Sequence, residues 1–353
     1  MLATQADRRG LRSHRPPGHH RRPACVFEGP EAAALMQMSP HDPFTVLRDA
    51  DPLPARLARP VLAIGNFDGV HRGHRAVIDA ARALARDQRV AALALTFEPH
   101  PRTFFSPKTA PFRLTPEPEK LAQLAKAGLD GAIVLGFNAA LAAVEAEAFV
   151  ADILLGRYGV SGVVVGFDFH FGRARAGSPA FLMASGARHG FKVVVVEPMR
   201  DEGDPISSTA IRNALAAGQV GHAAHMLGRP FGFTARVIHG DKRGRELGFP
   251  TANLELPDGA ELAFGVYAVR ARLGGQWLDG VASYGRRPTF DNGRPLFEVH
   301  LFDFAGDLYG AELKVELAAY LRPELKFDGI APLIAQMHVD AAQARAVLSG
   351  TAG

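Results

Sequence analysis

From Pro60 onward, short β-branched runs alternate with helix-like segments. The runs are Val61-Leu62-Ala63-Ile64, Val90 to Phe97, Ala132-Ile133-Val134-Leu135, Val163-Val164-Val165 and Val193-Val194-Val195-Val196. Strands that are apolar throughout, joined by helices, predict a parallel sheet buried on both faces, a doubly wound α/β domain. Such sheets bind ligands beyond the carboxyl ends of their strands, so the residues just after each run matter most. After Gly228-Arg229-Pro230 the rhythm changes to strand after strand: Thr234 to Ile238, Gly265 to Arg272, Trp277 to Ser283, Leu296 to Phe304 and Leu313 to Tyr320. Gly274-Gly275 marks a hairpin turn between two of them. This half reads as an antiparallel barrel or sandwich, closed by an Ala-rich helix between Gly329 and Leu348.

At 353 residues the chain is long enough for two domains, each with its own core. Hydrophobic residues at 47% and charged residues at 22% exclude wholesale disorder. With one cysteine, Cys25, neither a disulfide nor a cysteine metal site can be built, which suits a reducing cytoplasm. No apolar run approaches the roughly 20 residues that span a bilayer. A soluble, cytoplasmic protein without membrane or nucleic-acid partners is expected, a monomer or weak homo-oligomer. The formal charge of +4 owes much to Arg8, Arg9, Arg12, Arg15, Arg21 and Arg22, and the remainder suits anionic small molecules such as nucleotides.

Residues 1–55 are rich in Arg, His and Pro without periodicity and are expected to be largely disordered. Met38 is a candidate true start, which makes the upstream part a misassigned extension; an acid-poor, Arg-rich leader resembling an organelle transit peptide is the other reading. The expected division thereafter is 56–222 and 223–350.

The first candidate site follows the first strand: Gly65-Asn66-Phe67-Asp68-Gly69-Val70-His71-Arg72-Gly73-His74, leading into a helix with Val77, Ala80 and Leu84 on one face. Glycines admit phosphate close to the backbone, the helix start offers free N–H groups, and two imidazoles three residues apart can face one anion. Their expected task is charge stabilisation in the transition state, not nucleophilic attack. Three further segments lie at strand ends: Thr96-Phe97-Glu98-Pro99-His100-Pro101, Gly166-Phe167-Asp168-Phe169-His170-Phe171-Gly172, and Ile206-Ser207-Ser208-Thr209-Ala210-Ile211-Arg212. The last offers hydroxyls at a helix start with a fixed positive charge, a second phosphate cradle.

These motifs resemble the adenylyltransferase module of bacterial bifunctional riboflavin kinase/FAD synthetases (FMN adenylyltransferases), within the wider His-x-Gly-His nucleotidyltransferases. The resemblance implies that His71 and His74 bind ATP phosphates, and Gly65, Phe67, Asp68 and Gly73 are expected to be cofactor-binding residues of the same segment. It also implies that Asp168 belongs to the nucleotide and flavin site and that Ser207, Ser208, Thr209 and Arg212 close on phosphate. His170 stands where many relatives carry arginine.

The second candidate site is the basic, glycine-studded run from Val237 to Leu254, containing Gly240, Arg243, Gly244, Gly248, Phe249, Pro250, Thr251 and Asn253. It is not a Gly-x-x-x-x-Gly-Lys-Ser/Thr loop. Its backbone N–H groups can still wrap phosphates, and the Thr251 hydroxyl and Asn253 carbonyl are hard oxygens suited to Mg²⁺. A phosphoryl acceptor needs a positioned carboxylate; Glu298 is the candidate, with Phe297 and Val299 pointing the other way in its strand.

Gly-Phe-Pro-Thr-Ala-Asn followed by such a glutamate resembles riboflavin kinase modules, small antiparallel barrels. Gly265 to Val269, Arg287-Pro288-Thr289-Phe290, Asp307-Leu308-Tyr309-Gly310 and Leu321 to Phe327 continue the likeness in order. It departs at Ser283-Tyr284-Gly285, where Asn is expected in place of Ser283. Together the two resemblances run from about Pro60 to Phe327. They imply a Rossmann-like nucleotidyltransferase domain followed by a kinase barrel with a C-terminal helix. One chain would then make FMN from riboflavin and ATP, and FAD from FMN and ATP. The alternatives are a chain with one active half, the other retained for binding, and a flavin or nucleotide sensor without catalysis.

Overall fold

The computed structural model describes residues 43–201, 203–239, 248–256, 259–286 and 295–350. The N-terminal half is a six-stranded sheet of β1 (Thr45–Arg48), β2 (Val61–Ile64), β3 (Ala92–Glu98), β4 (Gly131–Gly136), β5 (Gly162–Gly166) and β6 (Lys192–Val196). All neighbours are parallel, in the order β1-β4-β3-β2-β5-β6. All four β2 residues are buried, as expected for a strand covered on both faces. Helix α1 (Arg72–Gln88) buries Val77, Ile78, Ala81 and Ala85 against this sheet, and the left-handed Arg89 ends it.

After β3 come α2 (Pro101–Phe105) and α3 (Glu117–Lys126). Helices α4 (Ala139–Ala142) and α5 (Ala146–Ala148) run into a π-helical turn, Phe149–Arg157, before β5, and α6 (Pro179–His189) joins β5 to β6. The chain builds outward from β2 through β3 to β4, then returns to the other side of β2 to place β5. The crevice beyond the end of β2 is therefore the topological switch point, and the histidine turn occupies it.

One expectation is corrected here. The stretch through residue 55 was read as unstructured, yet Thr45–Arg48 pairs with β4 as an edge strand. Four residues in parallel pairing leave too weak a periodic signal to be seen locally, and the partner supplies the order.

A short hairpin, β7 (Arg200–Asp201) and β8 (Asp204–Pro205), precedes α7 (Ser208–Ala216) and α8 (Val220–Leu227). The second half is a closed antiparallel barrel of β9 (Gly232–Ile238), β10 (Ala252–Leu254), β11 (Gly265–Leu273), β12 (Gln276–Arg286), β13 (Pro295–Leu301) and β14 (Glu312–Pro323). Gly274 and Gly275, both at positive φ, make the β11–β12 turn. Closure decides between barrel and sandwich, and it depends on β10. The sequence reading took that segment as loop, whereas β10 bridges β9 and β13. Helix α9 (Ile330–Leu348) covers the outer face, where Ala344 and Leu348 meet Val266, Ala268, Val281 and Phe302.

The larger core does not stop at the barrel wall. It joins Phe233, Tyr267, Phe297 and Leu317 to Ile211, Leu215 and Leu227 of α7 and α8, and to Phe112 and Leu114. Phe112 meets Phe231 edge-on, with ring centroids 5.9 Å apart. The sheet and α1 bury a separate core around Val61, Ala63, Ile78 and Val164, while the barrel shares its own with the helices that lead into it.

Candidate active sites

Between β2 and α1 the backbone takes three left-handed conformations, at Phe67 (φ 51°), Gly69 (φ 87°) and Val70 (φ 41°). A β-branched residue there is strained, so the surroundings must hold it. They do so at every step. Gly65 N–H donates to Leu95 O at 3.1 Å. Phe67 is buried, Gly69 N–H donates to Thr115 Oγ1 at 2.8 Å, and Arg229 donates to Gly69 O at 2.8 Å. Ser208 Oγ donates to Asp68 O at 2.9 Å, tying the start of α7 to the turn.

His71 caps α1, its Nδ1 accepting from His74 N–H at 3.3 Å. The rings of His71 and His74 stack, with centroids 3.6 Å apart and planes 19° from parallel. A Cβ on Gly73 would lie 3.2 Å from the His71 ring and 3.3 Å from Ile206 O, tighter than an ordinary contact. The two imidazoles share one side of the helix start, as their spacing predicts. Burial first, then Arg229 and Arg212, push the His71 pKa down to about 4. Burial, with His71 and Lys120 nearby, lowers His74 well below its ordinary value. Both rings are neutral near pH 7, so what they offer an anion is N–H donation instead of full charge. His74 Nδ1 is buried without a hydrogen-bond partner.

Beneath the turn lies an ionic network. Asp68, almost wholly buried, accepts from Thr115 N–H at 3.0 Å, pairs with Arg212, and has Arg113 Nε at 3.7 Å. Arg212 Nε also donates to Phe112 O at 2.5 Å. Glu98 takes both Arg113 Nη groups, at 3.0 and 2.7 Å, and Lys120 Nζ at 2.6 Å. Burial works against its charge, but Arg113 and Lys120 outweigh it and hold Glu98 below the usual carboxylate range. Lys120, with no exposed surface, also donates to Thr96 Oγ1 at 3.1 Å, and that hydroxyl donates to Asn66 O at 3.2 Å.

Of the expected site residues, Asp68, Ser208 and Arg212 meet at the histidine turn. Arg212 reaches the histidine turn through Asp68, which compensates its charge. Ser207 caps α7 by accepting from Ala210 N–H at 3.1 Å, Ser208 is engaged with Asp68 O, and Thr209 is exposed. Asp168 is exposed after β5, its carbonyl 2.9 Å from His170 Nδ1. Arg175 Nη2 stands 3.3 Å from the same nitrogen, bringing a guanidinium beside His170. Sequence reasoning missed Arg113, Lys120, Thr115 and Arg229. Only Glu98 carried a signal, its place at the end of a strand.

In the barrel, Asn253 pairs with Glu298 across β10 and β13, and Glu298 with Ser283 across β13 and β12. Ala252, Leu254, Phe297, Val299, Ala282 and Tyr284 face the core. Asn253, Glu298 and Ser283 therefore form one row on the outer face, in agreement with the expected orientation of Phe297 and Val299. Asn253 is buried and its Oδ1 has no hydrogen-bond partner.

Gly248, at φ 82°, and Pro250 are exposed, while Thr251 is half-buried beside them. Phe249 packs between His300 of β13 and His338 of α9, each ring centroid 5.0 Å away. His300 Nδ1 lies 2.9 Å from Pro250 O. No sequence signal marked His300 or His338. Gly240, Arg243 and Gly244, and the segment Arg287 to Phe290, lie outside the described residues.

Comparison with known proteins matches residues 53–210 to the FAD synthetase family and residues 227–348 to the riboflavin kinase family. The chain is 43% identical over 293 residues to a bifunctional riboflavin kinase/FMN adenylyltransferase of Pseudomonas fluorescens, covering 83% of this chain and 94% of that protein. It is 42% identical over 286 residues to the protein of the same name from Escherichia coli strain K12, covering 81% and 91%. A solved structure from Streptococcus pneumoniae, described as a macrolide-efflux protein, superposes with a TM-score of 0.77 at 31% identity, covering 85% of this chain and 98% of that one. No helix among the described residues is long and apolar enough to cross a membrane. With both domains matched in order over most of its length, the chain belongs to the bifunctional riboflavin kinase/FMN adenylyltransferase family.

Proposed function

We propose that each half carries one step of flavin cofactor synthesis, with the division near residue 222. The observation that carries this reading is the coexistence of two separate constellations: stacked, neutral His71 and His74 at the switch point of the sheet, and the Asn253–Glu298 row on the barrel.

In the barrel, the 5′-hydroxyl of riboflavin attacks the γ-phosphorus of ATP, ADP leaves, and Glu298 takes the hydroxyl proton to give FMN. Thr251 and Asn253 would hold Mg²⁺, which supplies neutralisation of phosphate charge when bound. The buried, unpartnered Oδ1 of Asn253 fits that assignment, because a hard acceptor is kept there without a donor. His300 orients the segment by its contact with Pro250 O.

In the sheet half, a phosphate oxygen of FMN attacks the α-phosphorus of a second ATP. The bond to the β-phosphate breaks, and FAD and pyrophosphate result. The FMN phosphate is already a nucleophile, so no general base is required. His71 and His74 donate N–H bonds to oxygens on which charge grows. Arg212, with Ser207, Ser208 and Thr209, closes the α7 side; Asp168, with Arg175 nearby, borders the nucleotide and flavin side. Gly65, Phe67, Asp68 and Gly73 keep the turn open to phosphate. The chain works in the cytoplasm on small molecules.

Purified protein given riboflavin, ATP and Mg²⁺ should form FMN and then FAD, followed by chromatography over time. FMN that never proceeds to FAD, or supplied FMN converted while riboflavin is untouched, would remove one half of the assignment.

A further inference from the structure

Among the described residues the fully buried charges are paired, whereas half-buried cations without an ion pair lie where α1 and α3 of the sheet half meet β9 and β14 of the barrel. A cavity of about 300 Å³ opens there, lined by Arg75, Lys126, Arg229, Lys314, Glu119 and Glu316. Lys314 Nζ is 2.9 Å from Glu119 and 3.7 Å from Glu316, so two carboxylates share one ammonium. Among the described residues, Arg75, Lys126 and Arg229 take part in no ion pair. Arg229 is half-buried, and its guanidinium reaches only two backbone carbonyls, Gly69 O at 2.8 Å and Leu227 O at 3.5 Å. Burial and neighbouring Arg75 disfavour its charge more than Glu119 and Glu316, which also serve Lys314, restore it. Leu114, Gln123, Pro230, Phe231 and Gly232 complete the wall, and the volume is at the small end for ligand sites.

We propose that this seam is a binding site for a small phosphoanion, of the size of pyrophosphate or the phosphate end of a mononucleotide, separate from the phosphate contacts of His71 and His74. Three cations without an ion pair converge on it from α1, α3 and the loop before β9, and with Lys314 they outnumber the two lining carboxylates. The ligand's effect reaches the histidine turn through one residue. Arg229 both lines the cavity and donates to Gly69 O in the left-handed stretch of that turn, so an anion that fixes the guanidinium also fixes the Gly69 peptide. Binding at the seam does not depend on the activities proposed above; only its influence on FAD formation does.

Hydrogen exchange of the full chain, titrated with inorganic pyrophosphate, tests this. Peptides covering 114–126 and 229–232 should gain protection, with a midpoint distinct from that of 65–74. Lys126→Glu, an exposed position, should raise the seam midpoint at least tenfold and leave that of 65–74 unchanged, and Arg75→Gln should act in the same direction. Both variants should keep the initial rate of FAD formation, measured before pyrophosphate accumulates. AMP protecting the seam at lower concentration than pyrophosphate identifies a nucleotide as occupant; the reverse identifies the inorganic ion. Protection confined to 65–74, or seam midpoints equal in wild type and both variants, overturns the proposal.

Discussion

The two candidate sites are organised in opposite ways. The histidine turn is held from below: left-handed backbone, two stacked imidazoles and a layer of buried ions in which Asp68, Glu98, Arg113, Lys120 and Arg212 answer one another. The barrel site is held from the side. Strand register alone puts Asn253, Glu298 and Ser283 in one row, and a single aromatic, Phe249, is wedged between β13 and α9. A site that stabilises charge on a crowded phosphate needs rigid donors, whose preorganisation costs strain and buried ions. A site that positions one carboxylate against one hydroxyl can borrow its geometry from a β-ladder.

The largest expected effects separate the two halves. His74→Ala should lower FAD formation by about 10²–10³-fold while FMN still accumulates from riboflavin. Glu298→Gln should lower FMN formation by about 10²–10⁴-fold and spare conversion of supplied FMN. Flavin chromatography reads both, and loss of both products in a folded variant breaks the division. Next comes the ionic layer. Lys120→Met leaves the half-buried Glu98 with only Arg113 as partner and should destabilise the protein by about 3–5 kcal/mol, seen in denaturant melts, whereas Asp303→Asn on the exposed barrel surface should leave the melt nearly unchanged.

A smaller effect depends on pH. The folded pKa of His71, about 4, lies below its ordinary value. Between those two values the unfolded chain binds the proton that the folded chain excludes, so stability is full above about pH 6.5 and falls as pH drops. From pH 7 to pH 5 the loss attributable to His71 is about 2 kcal/mol, and His71→Asn should flatten that part of the profile. His100, also lowered to about 4 by burial and by Arg113, adds in the same direction. The smallest effect is at Ser283. On the exposed face beside Glu298, Ser283→Asn should change riboflavin KM by no more than one hydrogen bond, about 1 kcal/mol, with FAD formation untouched.

Much of this was legible beforehand. The strand runs, the Gly274-Gly275 turn and the closing helix stand where periodicity puts them, because each is a property of residues close in the chain. Alternation alone placed Glu298 outward and its neighbours inward. The edge strand Thr45–Arg48 and β10 were not legible. Both are short, and both exist because a distant strand offers them hydrogen bonds. Arg113 and Lys120 sit outside any motif; their importance comes from the return of α3 and its approach beneath β3.

The sequence by itself determined which atoms could act: two imidazoles in a glycine turn, a carboxylate in an alternating strand, an amide and a hydroxyl after Gly-Phe-Pro. Tertiary structure decided their state. It made the histidines neutral by burying them, His71 beside Arg229 and Arg212 and His74 beside His71 and Lys120, gave Arg212 to Asp68, and set Asn253 opposite Glu298. It also extended the barrel core onto α7 and α8, while the sheet kept a core of its own. The physical reason is range: backbone preference and side-chain alternation act over a few residues, whereas burial and charge pairing depend on groups that only the folded chain brings together.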